Sequence, residues 1–418
     1  MTQKLIVVSM DALVYEDLEY LSQKPNFKAF MASSAMVRRV RSIYPTLTYP
    51  CHATMATGTL PAKHGIVNNY IPVPGQENGP WKWFHESYQV KDLFDACKEA
   101  GLTTACVGWP TMGNHTHIDW LVAEIAGTPA KTVEEFHRDY SRTGTPEALW
   151  EEICLPHIHW RTEHKRVAMF NTHACCEIIR RYAPDLTLLH VADPDNSRHK
   201  NGVFSEAIYP ALDECDKILG MLRQAIADSG QDINLVITAD HGQLDVKHTC
   251  APNALLVEGG FITPDETGAV TSWRAWCHGA GMSSQVYVKD PADEQAVYEF
   301  FKKHEGQYGY EKIYTRQECL DTEGLTGDFA FVLETDGVTH LQNSWLAPIS
   351  APGGKVKGTH GYHPDKGPRP PLLAVGPAFR IGVVLEDARL ADGAPTWAHI
   401  LGVSLPDADG TILQDLLR

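Results

Sequence analysis

No stretch of this 418-residue chain is apolar for long enough to cross a bilayer, which takes about 18–20 residues. The first apolar run lasts only from Leu5 to Met10 before it meets Asp11. It is too short for the apolar core of a secretory signal, and no small-residue cleavage site follows. Positive charge is scarce. Lys+Arg number 36 against 52 Asp+Glu, a net charge of −16, which excludes a broad basic surface that grips a nucleic-acid backbone. The ten cysteines contain no CxxC pair, which argues against a Cys-based zinc ribbon and a disulfide framework and for buried free thiols. Internal repeats, low-complexity tracts, a Walker loop and a glycine-rich dinucleotide motif are all missing. The chain is therefore expected to be cytoplasmic, with neither membrane nor nucleic-acid polymer as partner; nothing in it speaks to oligomeric state.

What is plentiful is histidine, with 20 residues, and hydrophobic residues at 43%. The second supports a large core, and the length predicts two domains or one with an insertion. Three short apolar runs end in acidic residues: Lys4 to Asp11, Asp185 to Asp195 and Ile233 to Gly242. Continuous apolar runs suit strands buried on both faces of a parallel sheet. Between the last two, Ile208, Leu212, Cys215, Leu219, Leu222 and Ile226 recur at helical spacing, with Pro210 early and Gly230 as the stop. A second helix pattern from Val90 to Ala100, ended by Gly101, precedes a strand at Thr103 to Val107. This alternation predicts an α/β fold: a doubly wound, mostly parallel sheet flanked by helices. Residues 1–243 and 351–418 read as the catalytic core. Residues 244–350 read as a smaller inserted cap region, with a turn-rich part (Thr263 to Gly268), a strand at Ser284 to Val288 and a helix at Asp293 to His304.

Ligands of an open α/β sheet bind beyond the carboxyl ends of its strands. Three such ends carry Asp11, then Asp193 and Asp195 with His199, then Asp240 with His241. One Asp at a strand end is an ordinary turn or cap residue. Three, two of them with histidines, make an N/O ligand set suited to Zn²⁺ or Mn²⁺. His360 lies in a Gly-Thr-His-Gly-Tyr segment, whose glycines allow close backbone approach. In the block Pro45 to Gly58, Pro50 can open a helix and Gly58 can end it, which puts Thr48 at or near the N-cap. Thr is a good cap with no further role needed. Its hydroxyl would equally face exposed N–H groups and the positive end of the helix dipole, a place to bind a phosphoryl group and favour an alkoxide. Asn69 follows in His-Gly-Ile-Val-Asn-Asn and could donate its amide to a phosphoryl oxygen.

In their order and spacing, four segments resemble the alkaline phosphatase superfamily, and within it the nucleotide pyrophosphatase/phosphodiesterase branch. They are the strand ending in Asp11, the TYPCHATMATG block with HGIVNN, DPDNSRHKNG, and TADHG followed much later by GTHGY and GPAF. The resemblance implies two divalent metal ions, Zn²⁺ first and Mn²⁺ second. Asp11, Asp240, His241 and the Thr48 oxygen would hold one; Asp195, His199 and His360 would hold the other. It makes Thr48 the nucleophile of a double displacement through a phospho-threonine intermediate, with Asn69 and the Tyr49 N–H on the phosphoryl oxygen. The substrate would be a small nucleotide-like phosphate ester, with Tyr49 stacking on the base and Trp109 matching a family Trp-Pro segment beside it. Loop tryptophans Trp81, Trp83, Trp273 and Trp276 could also line the pocket. Asp193 matches no ligand position and reads as structural. Cys51 stands where the family usually has Asn; a sulfatase motif would need an Arg that Cys51-His52-Ala53-Thr54-Met55 lacks.

Three other readings stay open. A phosphonoacetate-type hydrolase shares the Thr, Asn and metal pattern and would need cations such as Lys200, Lys355, Lys357 or Arg274. A phosphoglycerate-mutase-like isomerase lacks support from a Thr nucleophile. A non-catalytic binding protein would hardly keep all seven ligand residues.

Overall fold

The computed structural model describes residues 3–418. Its centre is an eight-stranded sheet: β1 (Lys4–Met10), β2 (Ala35–Arg41), β3 (Thr104–Val107), β4 (Trp120–Val122), β5 (Leu186–Val191), β6 (Ile233–Thr238), β7 (Leu372–Val375) and β8 (Val384–Arg389). The spatial order is β8-β2-β7-β6-β1-β5-β3-β4. All pairings are parallel except those of β7, which runs antiparallel to both β6 and β2. The sheet is thus mostly parallel, and helices cover both faces.

Alternation along β1 shows how the two faces are filled. Ile6, Val8 and Met10 join one core with Ile178 and Leu219, whereas Leu5 and Val7 join the other with Met55, Phe94 and Trp397. Helices α1 (Thr48–Thr57), α2 (Leu93–Glu99) and α6 (Gly393–Leu401) lie on the second face. Helices α3 (Val167–Tyr182) and α5 (Tyr209–Ser229) lie on the first and pack on each other; the short α4 (Asp195–Asn201) follows β5. Burial of the strands on both faces in this way explains the mostly apolar sequences of β1, β5 and β6. β8 carries Glu386 and Asp387 at the open edge, where charge discourages pairing with another chain.

The chain leaves this sheet after Thr238 and re-enters it at Leu372. Between them, Ala275–Gly279, Ser283–Val288, Phe331–Thr335 and Tyr310–Thr315 form an antiparallel four-stranded sheet in that order. The helix Glu294–Lys303 packs Val297 and Phe301 into a separate core with Trp276 and Leu333. The return path pairs Gly358–Thr359 with Leu244–Asp245. All ten cysteines are free and buried, and no helix among the described residues is long and apolar enough to cross a membrane.

Parallel neighbours end at the same edge. β6, β1 and β5 are adjacent, with Ser9 opposite Thr238 and Met10 opposite Val191. The residues after these strands therefore emerge side by side.

Candidate active site

Asp11, Asp240 and His241 converge there. His241 Nε2 lies 3.1 Å from Asp240 Oδ2 and 3.7 Å from Asp11 Oδ1. A second group adjoins it: Asp195 Oδ2 is 3.2 Å from His199 Nε2, and Asp195 Oδ1 is 3.7 Å from His360 Nε2. The rings of His241 and His360 stack with centroids 4.2 Å apart, which joins the groups. Helix α4 brings Asp195 and His199 together at i and i+4 on one face. Between them, Arg198 is fully buried and reaches back to Asp17 and the Val203 carbonyl, pinning the helix. His360 is set by its backbone. Its carbonyl accepts from Met282 N at 2.8 Å, and Gly361 N donates to Thr46 O at 2.7 Å. Gly361 has φ +89°, and a Cβ there would collide with Ala280 O, so only glycine permits this approach.

Thr48 is the first residue of α1, with Leu47 as the N-cap and Pro50 inside the first turn, where its missing N–H costs nothing. The helix therefore starts two residues before Pro50. Thr48 Oγ1 sits 3.3 Å from His241 Nε2. The Tyr49 N–H is not free for a phosphoryl oxygen: it donates to Asn69 Oδ1 at 2.9 Å. That bond leaves the Asn69 amide Nδ2 as the available donor.

The donor set fits divalent cations. Asp11 and Asp240 are 4% and 0% exposed, yet among the described residues Asp11 Oδ1, Asp240 Oδ2, His241 Nδ1 and His360 Nδ1 have no hydrogen-bond partner. Burial, then the neighbouring Asp240 and Asp195, push the Asp11 carboxyl well above the usual carboxylate range. Such crowding of buried carboxylates is costly until a cation neutralises it. Asp11, Asp240 and His241 form one group with candidate ligand atoms within 4.8 Å of one another; Asp195, His241 and His360 form another.

Two residues here, His190 and His52, carry no signal in the sequence. His190, inside β5, has Nε2 3.0 Å from Asp11 Oδ2, with Nδ1 3.1 Å from Gly108 O and 3.4 Å from Glu124 Oε1. Burial works against its charge, but the hydrogen bonds to Asp11 and Glu124 push its pKa up. His52 is fully buried, its Nδ1 2.7 Å from Thr48 O, and burial holds it down at about 3. Cys51 packs in the apolar core with Sγ 3.2 Å from Ser42 Oγ. Asp193 holds no metal-type partner; its carbonyl accepts from Cys215 Sγ.

A cavity of about 910 Å³ opens over these groups, lined by Thr48, Tyr49, Asn69, Trp81, Glu124 and Arg161 among others. The segments Gly279 to Gly281 and His340 to Ser344 close one side. Tyr49 and Trp81 meet at 5.4 Å between ring centroids. Trp109, read from the sequence as a substrate-binding residue, does not line the cavity. It is fully buried against the His52 ring, and its indole N–H donates to His52 O at 3.2 Å. Trp276 lies in the separate core of the second sheet. Lys200, Lys355, Lys357 and Arg274 stay off the cavity wall, and Arg274 pairs with Asp293.

A family model for type I phosphodiesterase/nucleotide pyrophosphatase matches residues 5–363. The chain belongs to this family. As a type I phosphodiesterase/nucleotide pyrophosphatase it is a metal-dependent hydrolase of phosphodiester bonds. It is 24% identical over 430 residues to human ectonucleotide pyrophosphatase/phosphodiesterase family member 5, covering 100% of this chain and 78% of that one. It is 23% identical to the bis(5'-adenosyl)-triphosphatase of Xenopus laevis, covering 98% and 80%. The solved structure of murine ectonucleotide pyrophosphatase/phosphodiesterase 5 superposes with a TM-score of 0.70 at 19% identity over 100% of both chains. An inactive threonine-to-alanine variant of that murine protein, in complex with AMP, superposes equally well.

Proposed function

We propose that this chain hydrolyses small nucleotide-like phosphodiesters and pyrophosphates on two divalent metal ions, zinc first, through a phospho-threonine at Thr48. The observation that carries this is the meeting of two carboxylate–imidazole groups at His241 and His360, with Thr48 Oγ1 3.3 Å from His241 Nε2. Asp11, Asp240, His241 and the Thr48 oxygen would hold one ion; Asp195, His199 and His360 would hold the other. When bound, such ions lower the pKa of coordinated oxygens and stabilise charge on the attacking and leaving groups.

The protein's own part follows from its geometry. Helix α1 presents Thr48 in its first turn, where the dipole favours negative charge on Oγ1. Thr48 Oγ1 attacks phosphorus, a P–O bond to the leaving group breaks, and water later releases the phosphoryl group from Thr48. Asn69 Nδ2 donates to a nonbridging oxygen and is held for this by the Tyr49 N–H. Tyr49 and Trp81 offer a slot for a nucleobase. The AMP complex of the murine relative, inactive after one threonine-to-alanine change, supports both the nucleotide class and the threonine nucleophile.

The test compares rates of protein loaded with Zn²⁺ or Mn²⁺ on thymidine 5′-p-nitrophenyl phosphate, bis-p-nitrophenyl phosphate, p-nitrophenyl phosphate and phosphonoacetate. Preference for the thymidine diester is expected. Preference for phosphonoacetate overturns the substrate class, and turnover of none overturns the reading.

A further inference from the structure

Arg161 is the one Lys or Arg on the cavity wall among the described residues, on a wall that also carries Asp11, Glu77, Glu124 and Asp195. It comes from the short helix His159–Thr162, far from every motif of the sequence. The guanidinium is held without an acid. Its Nη1 donates to Tyr140 Oη at 3.2 Å, and its carbon sits 4.8 Å from the Phe136 ring centroid, with Tyr140 and Phe170 each at 5.9 Å. Among the described residues no carboxylate lies within ion-pair distance of it. Other arginines of the chain are treated differently: Arg166 pairs with Glu214, Arg180 with Asp228, and Arg198 with Asp17. The nearby acid Asp139 is engaged by the Thr128 hydroxyl.

The position of Arg161 follows from a chain of contacts along the wall. Asp11 meets His190, and His190 meets Glu124. Glu124 and Tyr49 line the same wall, and Tyr140 holds Arg161. Arg161 lines the same cavity as Tyr49, and among the described residues none of its contacts is with the paired carboxylate–imidazole groups. A half-buried, pre-oriented guanidinium with no acid partner in a cavity of a −16 protein is a binding site for a planar or tetrahedral anion. Glu124 meets His190, the partner of Asp11, so a carboxylate stands on the wall beside the metal-type residues and disfavours a second anion there.

We propose that Arg161 forms a second anion subsite, which takes a phosphate on the sugar of the retained nucleoside. The preferred substrates would then be 5′-diesters or pyrophosphates of nucleosides that carry a further 3′- or 2′-phosphate. This deepens the function proposed above and rests on it. A charge-assisted contact of this kind at a half-exposed site is expected to change kcat/KM by about tenfold.

The test uses thymidine 5′-p-nitrophenyl phosphate and its 3′-phosphorylated counterpart as a pair, on wild type, Arg161→Met and Arg161→Lys, all metal-loaded. Wild type should favour the 3′-phosphorylated diester by about tenfold, chiefly through KM. Arg161→Met should lose that preference, and Arg161→Lys should keep part of it. As a readout independent of turnover, thymidine 3′,5′-bisphosphate should bind wild type more tightly than Arg161→Met in calorimetry. Equal rates on both diesters by wild type, or an equal loss on both in Arg161→Met, overturn the subsite and leave the diesterase reading intact. Turnover of neither diester by wild type overturns that reading and the subsite with it.

Discussion

His199 donates its Nδ1–H to the carbonyl oxygen of Gly358 at 2.7 Å, and this bond fixes which ring nitrogen remains for a metal. Nε2 is left with its lone pair, 3.2 Å from Asp195 Oδ2. A histidine held by its far nitrogen in this way is oriented before any ion arrives. His199→Gln should therefore lose metal from the Asp195 group while Asp11, Asp240 and His241 retain theirs. Metal content by plasma emission after dialysis checks this, and loss of both ions, or of neither, would contradict the separation of the two groups.

Thr48 Oγ1 lies 3.3 Å from His241 Nε2 and, among the described residues, donates to no backbone acceptor. Thr48→Ala should reduce turnover of the thymidine diester by about 10³-fold or more, as removal of a nucleophile does elsewhere. Bound metal should change little, because the carboxylates and imidazoles are untouched. Near-normal rates in this variant would sink the nucleophile assignment.

Tyr49 and Trp109 separate binding from packing. Tyr49→Ala should raise KM for a nucleotide substrate by about tenfold, since base stacking on an aromatic is worth about 1–3 kcal/mol. Trp109→Phe should leave KM alone and cost about 2 kcal/mol of stability through the lost volume and the lost bond to His52 O. Paired measurements of KM and denaturant midpoint decide it; a KM effect in Trp109→Phe would put that ring back in the site.

His64 predicts an acid limb of stability away from the site. It is fully buried, accepts from Ile66 N at 3.1 Å and faces Thr54 Oγ1 at 3.0 Å; burial pushes it down to about 3. The unfolded chain protonates this residue near pH 6.5. Between about pH 6.5 and 3 the unfolded state binds more protons, so the stability that His64 contributes is whole above 6.5. It falls by about 1.4 kcal/mol per pH unit as the pH drops through that window. His64→Gln should be less stable at pH 7 yet show a shallower loss between pH 6.5 and 4.5 in urea titrations. An unchanged slope would mean that other groups dominate.

The strands and their acidic ends were legible because each is a local pattern. A strand buried on both faces must be continuously apolar, and a carboxylate directly after it must lie at the sheet edge. That logic reaches Asp11, Asp195, His199, Asp240 and His241, and the glycine-flanked His360. It does not reach His190, which sits within an apolar strand and gains its partner only because β1 is its neighbour, 179 residues away in sequence. It also misplaced Trp109: beside Pro110 at the end of β3, the ring could have turned to the cavity or to the core, and α1 packing over that face decided for the core.

By itself the sequence determined the α/β class, the acidic and histidine residues that close the strand ends and the threonine at a helix start, since each depends on chemistry and spacing within one short segment. Only the tertiary structure decided that three strand ends stand side by side and that the Tyr49 N–H is taken by Asn69. It also decided that an arginine from an unremarked helix faces the same cavity. Those facts depend on which distant segments become neighbours, and adjacency is set by packing of the whole core and not by any one segment.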